Sequence, residues 1–450
     1  MNTAQITKAF NTTIQEFVSR RTEYVLNPDR DFTRNRKLTL DTLIRMLLQM
    51  KGSSINRELE RFFHYDTNLP TASAFVQQRQ KLKADIFEDM FHSFNDKCTD
   101  VEKFRGYRLF AVDGTDLNLP RDPQADTYIA GSNHEGYNLL HANLFFDILN
   151  KTYLDCVLQP RPKADERDAF IQMLTRNTFY GKNIIITDRG YESYNLFAHC
   201  TNTPHIDFIC RVKQGAGGLR IVQNLPMQEL DKYVEFEITT TQKNEDKRKH
   251  RIHLCNGSTK GKTLSPKTTV HRWDYSSPYA MKLRIVRFRI ANKPDAFGNI
   301  DGNPENYETL VTTLSPKDFS VHDMKELYHL RWGIETSFRE LKYAIGLSYL
   351  HSKNENSIRQ EIYAHLLMYN FSQRIIRLAV VAQHTGNQYL YQVNFTQAFH
   401  LCRQFFVGCI SLQNILQKIA QYVLPIRPGR TDKRKLYPKS FVSFLYRVAA

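Results

Sequence analysis

Long apolar runs are missing from this chain. No stretch of about 18 uninterrupted apolar residues, enough to cross a bilayer, occurs in its 450 residues. The most apolar late segment, Ile375–Ala382, is interrupted by Arg377. The first residues, MNTAQITKAFNTT, lack the apolar core of a secretory signal. These absences argue against a membrane partner and lead to the expectation of a cytoplasmic protein. Cysteine is sparse and scattered: Cys98, Cys156, Cys200, Cys210, Cys255, Cys402 and Cys409, with no C-x-x-C pair. An odd, dispersed set excludes a disulfide framework, and its spacing excludes a structural zinc site. Buried free thiols are expected instead.

Acidic residues are in deficit. Against 62 Lys and Arg stand 46 Asp and Glu, a formal net charge of +16 and a sequence pI of about 9.4. An excess of that size implies a polyanionic partner, nucleic acid or an anionic membrane. Hydrophobic residues at 41% and charged residues at 24% are ordinary for a globular chain. Its length allows two or three domains, since single cores stop growing at roughly 250–300 residues.

Residues 1–100 read as a helical N-terminal region. Thr39–Met50 has helical apolar spacing, and Ser53-Ser54 offers an N-cap to INRELERFF. After a break at Asn68-Leu69-Pro70 comes a second amphipathic helix bearing Gln77, Gln78, Arg79, Lys81 and Lys83. Helix, short break and basic helix suit a helix-turn-helix DNA reader, and equally a small helical bundle. Residues 101–212 change period. Strands are expected at Tyr107–Val112, Leu139–Leu149, Thr152–Leu158, Asn183–Thr187 and Asp207–Val212, with helices near Asp165–Leu174 and Tyr194–Cys200. That order suits a ribonuclease-H-like mixed sheet. Residues 213–306 read as an all-β insertion, with strand-like runs at Tyr233–Thr241, Arg251–Cys255, Thr268–Trp273 and Met281–Ile290. Residues 307–350 return to the core through Tyr307–Leu314 and a long helix. Residues 351–450 read as helical, with helices near 355–382 and 393–420, and a basic tail of Arg427, Arg430, Lys433, Arg434, Lys435 and Lys439 suited to phosphate contact.

Asp113, in VDGTDL, and Asp188, in IITDRGY, each close a hydrophobic strand. Either alone is as well explained as a turn or cap residue. Asp323–Tyr343 reads as one long helix. Leu327, Leu330, Ile334, Phe338 and Leu341 share its apolar stripe, while Tyr328, Arg331, Glu335 and Lys342 fall in a neighbouring sector about 60° wide. Spacing alone does not separate such a sector from a surface ladder of i,i+4 ion pairs.

The spacing Tyr328-x2-Arg331-x3-Glu335-x6-Lys342 resembles the Tyr-Arg-Glu-Lys signature of insertion-sequence-four type bacterial transposases, members of the Asp-Asp-Glu superfamily. DGT around Asp113, Asp-Arg opening DRGYES and a β-rich insertion between the second Asp and the Glu extend the resemblance to roughly residues 40–440. It implies a mixed α+β fold, with a ribonuclease-H-like catalytic core, the β insertion, a helical DNA-binding N-terminus and a helical C-terminus. It implies a cut-and-paste transposase in the bacterial cytoplasm, associated with the nucleoid. Asp113, Asp188 and Glu335 would ligate two Mg²⁺ or Mn²⁺ ions, and hard carboxylate oxygens suit such ions. No covalent nucleophile is then needed, in keeping with the lack of an obvious Ser-His or Cys-His arrangement. Tyr328, Arg331 and Lys342 would contact phosphates of double-stranded DNA at the element's ends. Arg211 and Lys213, after the fifth strand, are further candidate DNA contacts.

Trp273 and Trp332 could buttress a flipped base, although core packing is the plainer expectation. Asp116, Glu192 and Glu340 read as supporting or ion-pair acids. A homodimer on two paired ends is expected, with the helices of 355–420 as candidate contacts. A metal-dependent endonuclease that cleaves without joining, or a catalytically inactive end-binding inhibitor, would carry much of the same sequence.

Overall fold

Strand burial of period two builds the centre of the molecule. In the strand from Tyr107 to Leu119, Leu109, Ala111 and Leu117 pack into one hydrophobic cluster, and Phe110 and Val112 into another on the opposite face. The computed structural model describes every residue except 35, 132–135, 216–217, 224, 242, 255–271, 295–297, 299–300 and 428–450.

The N-terminal helices are α1 (Thr3–Ser19), α2 (Arg21–Tyr24), α3 (Leu40–Gln49), α4 (Ile55–Phe62), α5 (Ala72–Arg79) and α6 (Ile86–Lys97). Thr39, Ser54 and Thr71 cap α3, α4 and α5 through their hydroxyls, as their side chains favour. The basic helix expected to read DNA ends at Arg79, short of Lys81 and Lys83. Arg79 is buried at 3% exposure, where it donates to Gln360, Glu361 and the Ser357 carbonyl. Lys83 donates to the Glu23 carbonyl, and Lys81 pairs with Asp31. Gln77 stays exposed. A buried guanidinium has to be paired, so Arg79 ties α5 to the body of the protein.

Ten strands form one sheet: β1 (Tyr107–Leu119), β2 (Tyr128–Ile129), β3 (Tyr137–Asp147), β4 (Thr152–Pro160), β5 (Lys182–Thr187), β6 (Ile206–Arg211), β7 (Leu230–Thr239), β8 (Ile252–His253), β9 (Tyr279–Arg289) and β10 (Tyr307–Thr312). Their order is β2-β3-β1-β5-β6-β10-β9-β7-β8, with β4 also on β3. β1 pairs antiparallel with β3 and parallel with β5, which pairs parallel with β6. Helices α7 (Glu166–Arg176) and α8 (Tyr194–Asn202) cover one face, and the terminal helices cover the other.

The region expected as an all-β insertion is not a sheet of its own. β9 and β7 continue the core sheet through β10, and two short helices, α9 (Arg220–Gln223) and α10 (Asn244–Arg248), interrupt it. An antiparallel β10 satisfies the backbone groups that β6 would otherwise leave as an open edge. Of the expected strand at Thr268–Trp273, residues 268–271 lie outside the described residues, as does the basic tail from residue 428.

The C-terminal part contains α11 (Val321–Leu330), α12 (Trp332–Arg339), a π-helical turn (Glu340–Ile345), α13 (Glu355–Ile376), α14 (Phe395–Phe406) and α15 (Ile415–Gln421), with a small ribbon of β11 (Tyr391–Val393) and β12 (Val423–Pro425). The long helix expected over 323–343 is therefore divided at Arg331, which keeps helical angles of −51° and −34°. It ends at Gly346, whose φ of 101° favours glycine. The expected helix 393–420 is split between α14 and α15. α13 is buried at 19 of its 22 positions. It is the axis of the terminal helical layer, so within 355–420 the exposed helical surface lies mainly on α14 and α15. Among the described residues no helix is long and apolar enough to cross a membrane. Cys98, Cys156, Cys200, Cys210 and Cys402 are buried free thiols, while Cys409 is exposed, and Cys255 lies outside the described residues.

Candidate active site

Asp113 and Asp188 reach one rim by register. The parallel pairing of β1 with β5 ends at Ala111 opposite Ile186, and each aspartate lies two residues further on. β1 itself does not end at Asp113, as its sequence suggests; it runs on to Leu119, paired with β3 alone. Asp113 has the parity of Ala111, so it faces the layer that holds α11 and α12, whose Ile334 packs in the same cluster. Asp188 caps the turn Arg189–Tyr191, its Oδ1 accepting from the Gly190 amide at 2.8 Å.

Arg331 joins the rim to the helix. Its Nη1 lies 3.5 Å from Asp113 Oδ2, and its Nη2 donates to Glu335 Oε1 at 3.1 Å. The guanidinium is buried at the junction of α11 and α12, 5.7 Å from the Tyr328 centroid and 5.1 Å from that of Trp332. Burial, then the neighbouring charge of Asp188, pushes Asp113 up to about 7; Glu335 adds to the rise, while the Gly114 amide and Arg331 oppose it. The three carboxylates thus lie in one electrostatic neighbourhood, although their oxygens are not all within 4.8 Å of one another. Arg331 stands between Asp113 and Glu335 as their counter-ion.

The π-helical turn brings Lys342 back toward the sheet, where its Nζ donates to the Asp116 carbonyl at 2.8 Å. Burial lowers the pKa of that ammonium. Tyr328 is buried, and its hydroxyl, short of a well-aligned hydrogen bond, lies beside Arg211. Of the other expected DNA contacts, Arg211, beside Tyr328, pairs with Glu308 at 2.6 Å, and Lys213 pairs with Glu192 at 3.5 Å. Glu340 accepts from Tyr369 and Gln373 of α13. Trp273 packs on Tyr275 and Tyr279 and donates to the Ser276 carbonyl, as core packing predicts. Trp332 does not pack so: it is 51% exposed, one residue from Arg331.

Three residues that pattern reading passed over complete the rim. His141 on β3 faces Asp116 across the β1–β3 ladder, with Nδ1 2.6 Å from Asp116 Oδ1 and Nε2 3.1 Å from Glu166 Oε1. The second contact is an ion pair rather than an aligned hydrogen bond, and Nε2 makes no other. Burial opposes the charge of His141, but the two carboxylates outweigh it and raise the imidazole to about 9. Glu166 is the first residue of α7, where an acid is ordinarily read as favouring the helix dipole. Tyr191 is fully buried, and its hydroxyl has no partner. Burial, followed by Asp113, Glu166 and Asp188, raises its pKa well above the ordinary phenol value. The only signal in the sequence was proximity: Tyr191 follows Asp188 by three positions, and Asp116 follows Asp113 likewise.

The family described as the transposase DDE domain matches residues 104–371, more than half of the chain. The chain belongs to that family. The transposase DDE segment thus begins just before β1 and ends within α13, enclosing every element that positions Asp113, Asp188 and Glu335. The resemblance to insertion-sequence-four type transposases is borne out among relatives. A putative transposase for insertion sequence element IS4SA of Synechocystis sp. is 36% identical over 95 residues, covering 20% of this chain and 27% of that protein. The putative transposase InsL for IS186A of Escherichia coli is 26% identical over 268 residues, 58% of this chain and 64% of its own length. The transposase for IS421 of Escherichia coli matches to the same extent. The chain therefore spans less than two thirds of the length of each. The structure of piggyBac transposase in a synaptic complex with hairpin DNA aligns with a TM-score of 0.46 and 10% identity, covering 97% of this chain and 88% of that one.

Proposed function

We propose that this chain is a DNA transposase that cleaves phosphodiester bonds at transposon ends and joins the 3′ ends to target DNA, with Asp113, Asp188 and Glu335 holding two divalent ions. The observation that carries the reading is the convergence of two strand-rim aspartates, in register, on the helix bearing Arg331 and Glu335. The strand order β4-β3-β1-β5-β6 supports a ribonuclease-H-like core beneath them.

The donor set fits Mg²⁺ or Mn²⁺. Asp113 holds its proton up to about 7 because burial and neighbouring carboxylates disfavour its charge, and a bound cation reverses that balance. All three donors are hard oxygens. The tighter group His322, Asp323 and Glu326 fits less well: it lies at the exposed start of α11, and Asp323 is already engaged by Ser320 and Arg105. When bound, the ions would activate the attacking water or 3′-hydroxyl and stabilise the leaving oxygen.

The protein's own groups do the rest. Arg331 presents a planar fork that grips a phosphate by two hydrogen bonds, and Lys342 adds a point charge beside it. With a phosphate in place, Arg331 can relinquish Glu335, the more exposed of its two carboxylate partners. Tyr328 adds a hydroxyl on the same helix face, beside Arg211. Arg211 and Lys213, now on Glu308 and Glu192, could reach DNA only by exchanging those partners. Two paired DNA ends on a homodimer remain part of the proposal, with surfaces other than α13.

The test offers purified protein its element's end sequence, a target plasmid and Mg²⁺ or Mn²⁺. Joined products at the element's 3′ ends are expected. Cleaved ends that never join would assign the chain to the endonucleases, and binding without cleavage to the end-binding inhibitors.

A further inference from the structure

Beside Asp113 and Asp188 lies a second group of residues that the transposase reading leaves without a task. Gly114 follows Asp113, and a Cβ there would stand 2.3 Å from His141 Nε2 and 3.2 Å from Glu166 Oε1. Gly190 lies two residues after Asp188, and a Cβ there would stand 3.1 Å from Asp188 Oδ1 and 3.2 Å from Glu166 Oε2. The two glycines therefore make room for one carboxylate. His141 holds its Oε1, leaving Oε2 on the side of Asp188. Tyr191, with its backbone amide on the Asp188 carbonyl at 3.2 Å and its ring against Phe170 of α7, has a hydroxyl fully buried and unpartnered, within reach of the charges of Asp113, Glu166 and Asp188. A buried hydroxyl without a partner is destabilising, and apolar packing alone would be served as well by Phe.

We propose that Glu166 and Tyr191 are positioning residues for the divalent cation held at Asp113 and Asp188, with Glu166 Oε2 and the Tyr191 hydroxyl binding a water ligand of that ion. Glu166 accepts from the water and Tyr191 completes its hydrogen bonding, since a phenol both donates and accepts. His141 orients Glu166 from one oxygen and is itself fixed by Asp116. Partners of this kind set the orientation of metal ligands, and their loss lowers metal affinity by about 10- to 100-fold.

The inference rests on the metal reading of Asp113 and Asp188, and the experiment separates the two. Mn²⁺ binding to the full chain is titrated by electron paramagnetic resonance for the parent, Tyr191→Phe, Glu166→Gln, Glu166→Asp and Asp188→Asn, each with a thermal melt. Tyr191→Phe is expected to melt no lower than the parent, yet to bind Mn²⁺ about tenfold more weakly. Glu166→Gln should weaken binding similarly. Glu166→Asp, one carbon shorter, should rescue it only in part. Unchanged Mn²⁺ affinity in folded Tyr191→Phe and Glu166→Gln, with binding lost in Asp188→Asn, would overturn the proposal and leave the metal site standing. Undiminished binding in Asp188→Asn would overturn the metal site, and the proposal with it. Should Glu166→Gln fail to fold, Tyr191→Phe decides alone.

Discussion

Arg331 Nη1 lies 3.5 Å from Asp113 Oδ2, across 218 positions of sequence, while Nη2 of the same guanidinium holds Glu335 at 3.1 Å. One side chain thus sets the distance between the sheet rim and the helix that completes the site. Two fixed directions are required, and the fork of arginine supplies them. Arg331→Lys is expected to keep the fold and lower end cleavage by about 10- to 100-fold, the loss of one or two charged hydrogen bonds. Unchanged cleavage rates under single turnover would show that Arg331 acts only as packing.

The raised pKa of Asp113 has a definite sign in stability. Below about pH 4 the carboxyl is protonated in the folded and unfolded chain alike and adds nothing. As pH rises from there toward about 7, the unfolded chain releases a proton that the fold retains. Ionisation then weighs increasingly against folding, with the full penalty above that pH. Without metal, Asp113→Asn should therefore melt higher than the parent at pH 8 and equally at pH 4. Adding Mg²⁺ at pH 8 should raise the parent's melting temperature and leave the variant's nearly unmoved. A variant that melts lower at pH 8 would contradict this electrostatic account.

The legibility of the sequence differs between these parts. β1, β3, β4, β5 and β6 could be read as short apolar runs, since layers pack on both faces of the sheet, and the divided helix from its apolar stripe, since it is buried on one side. Register was not legible: that Asp113 and Asp188 stand equally far past Ala111 and Ile186 follows from strand pairing, which no local pattern encodes. For the same reason β7 and β9 read as a separate unit, although they extend the core sheet. Arg79 looked like a solvent-facing base because its partners, Gln360 and Glu361, are some 280 positions away. Trp332 looked like core because half-exposed tryptophans are uncommon.

The buried network at Glu361 tests the fold apart from catalysis. Arg79, 3.3 Å away, and His351 both engage Glu361. His351 also approaches the Ser53 carbonyl at 2.9 Å, so the network clamps the N-terminal helices to α13. Glu361→Ala strands Arg79 in a buried site and is expected to cost about 3–5 kcal/mol of stability. Equilibrium urea denaturation measures it. A change below about 1 kcal/mol would show that the network is wetter than its burial indicates.

Trp332 is half exposed and stacks on Arg331, so its removal separates stability from DNA contact. Trp332→Ala should alter unfolding by no more than about 0.5 kcal/mol, while weakening end-DNA binding by about 1–3 kcal/mol, the worth of one stacked base. Equal affinity for parent and variant in an anisotropy titration would place Trp332 outside the DNA path.

Glu335 is proposed to complete a metal-dependent cleavage site with Asp113 and Asp188. Its most direct test compares the parent and Glu335→Ala on the same end DNA with Mg²⁺ or Mn²⁺, scoring nicks at the element boundary and binding in parallel. Metal-dependent nicking by the parent is expected, and none by a variant that still binds DNA. Nicking by the variant at the parent's rate would contradict it.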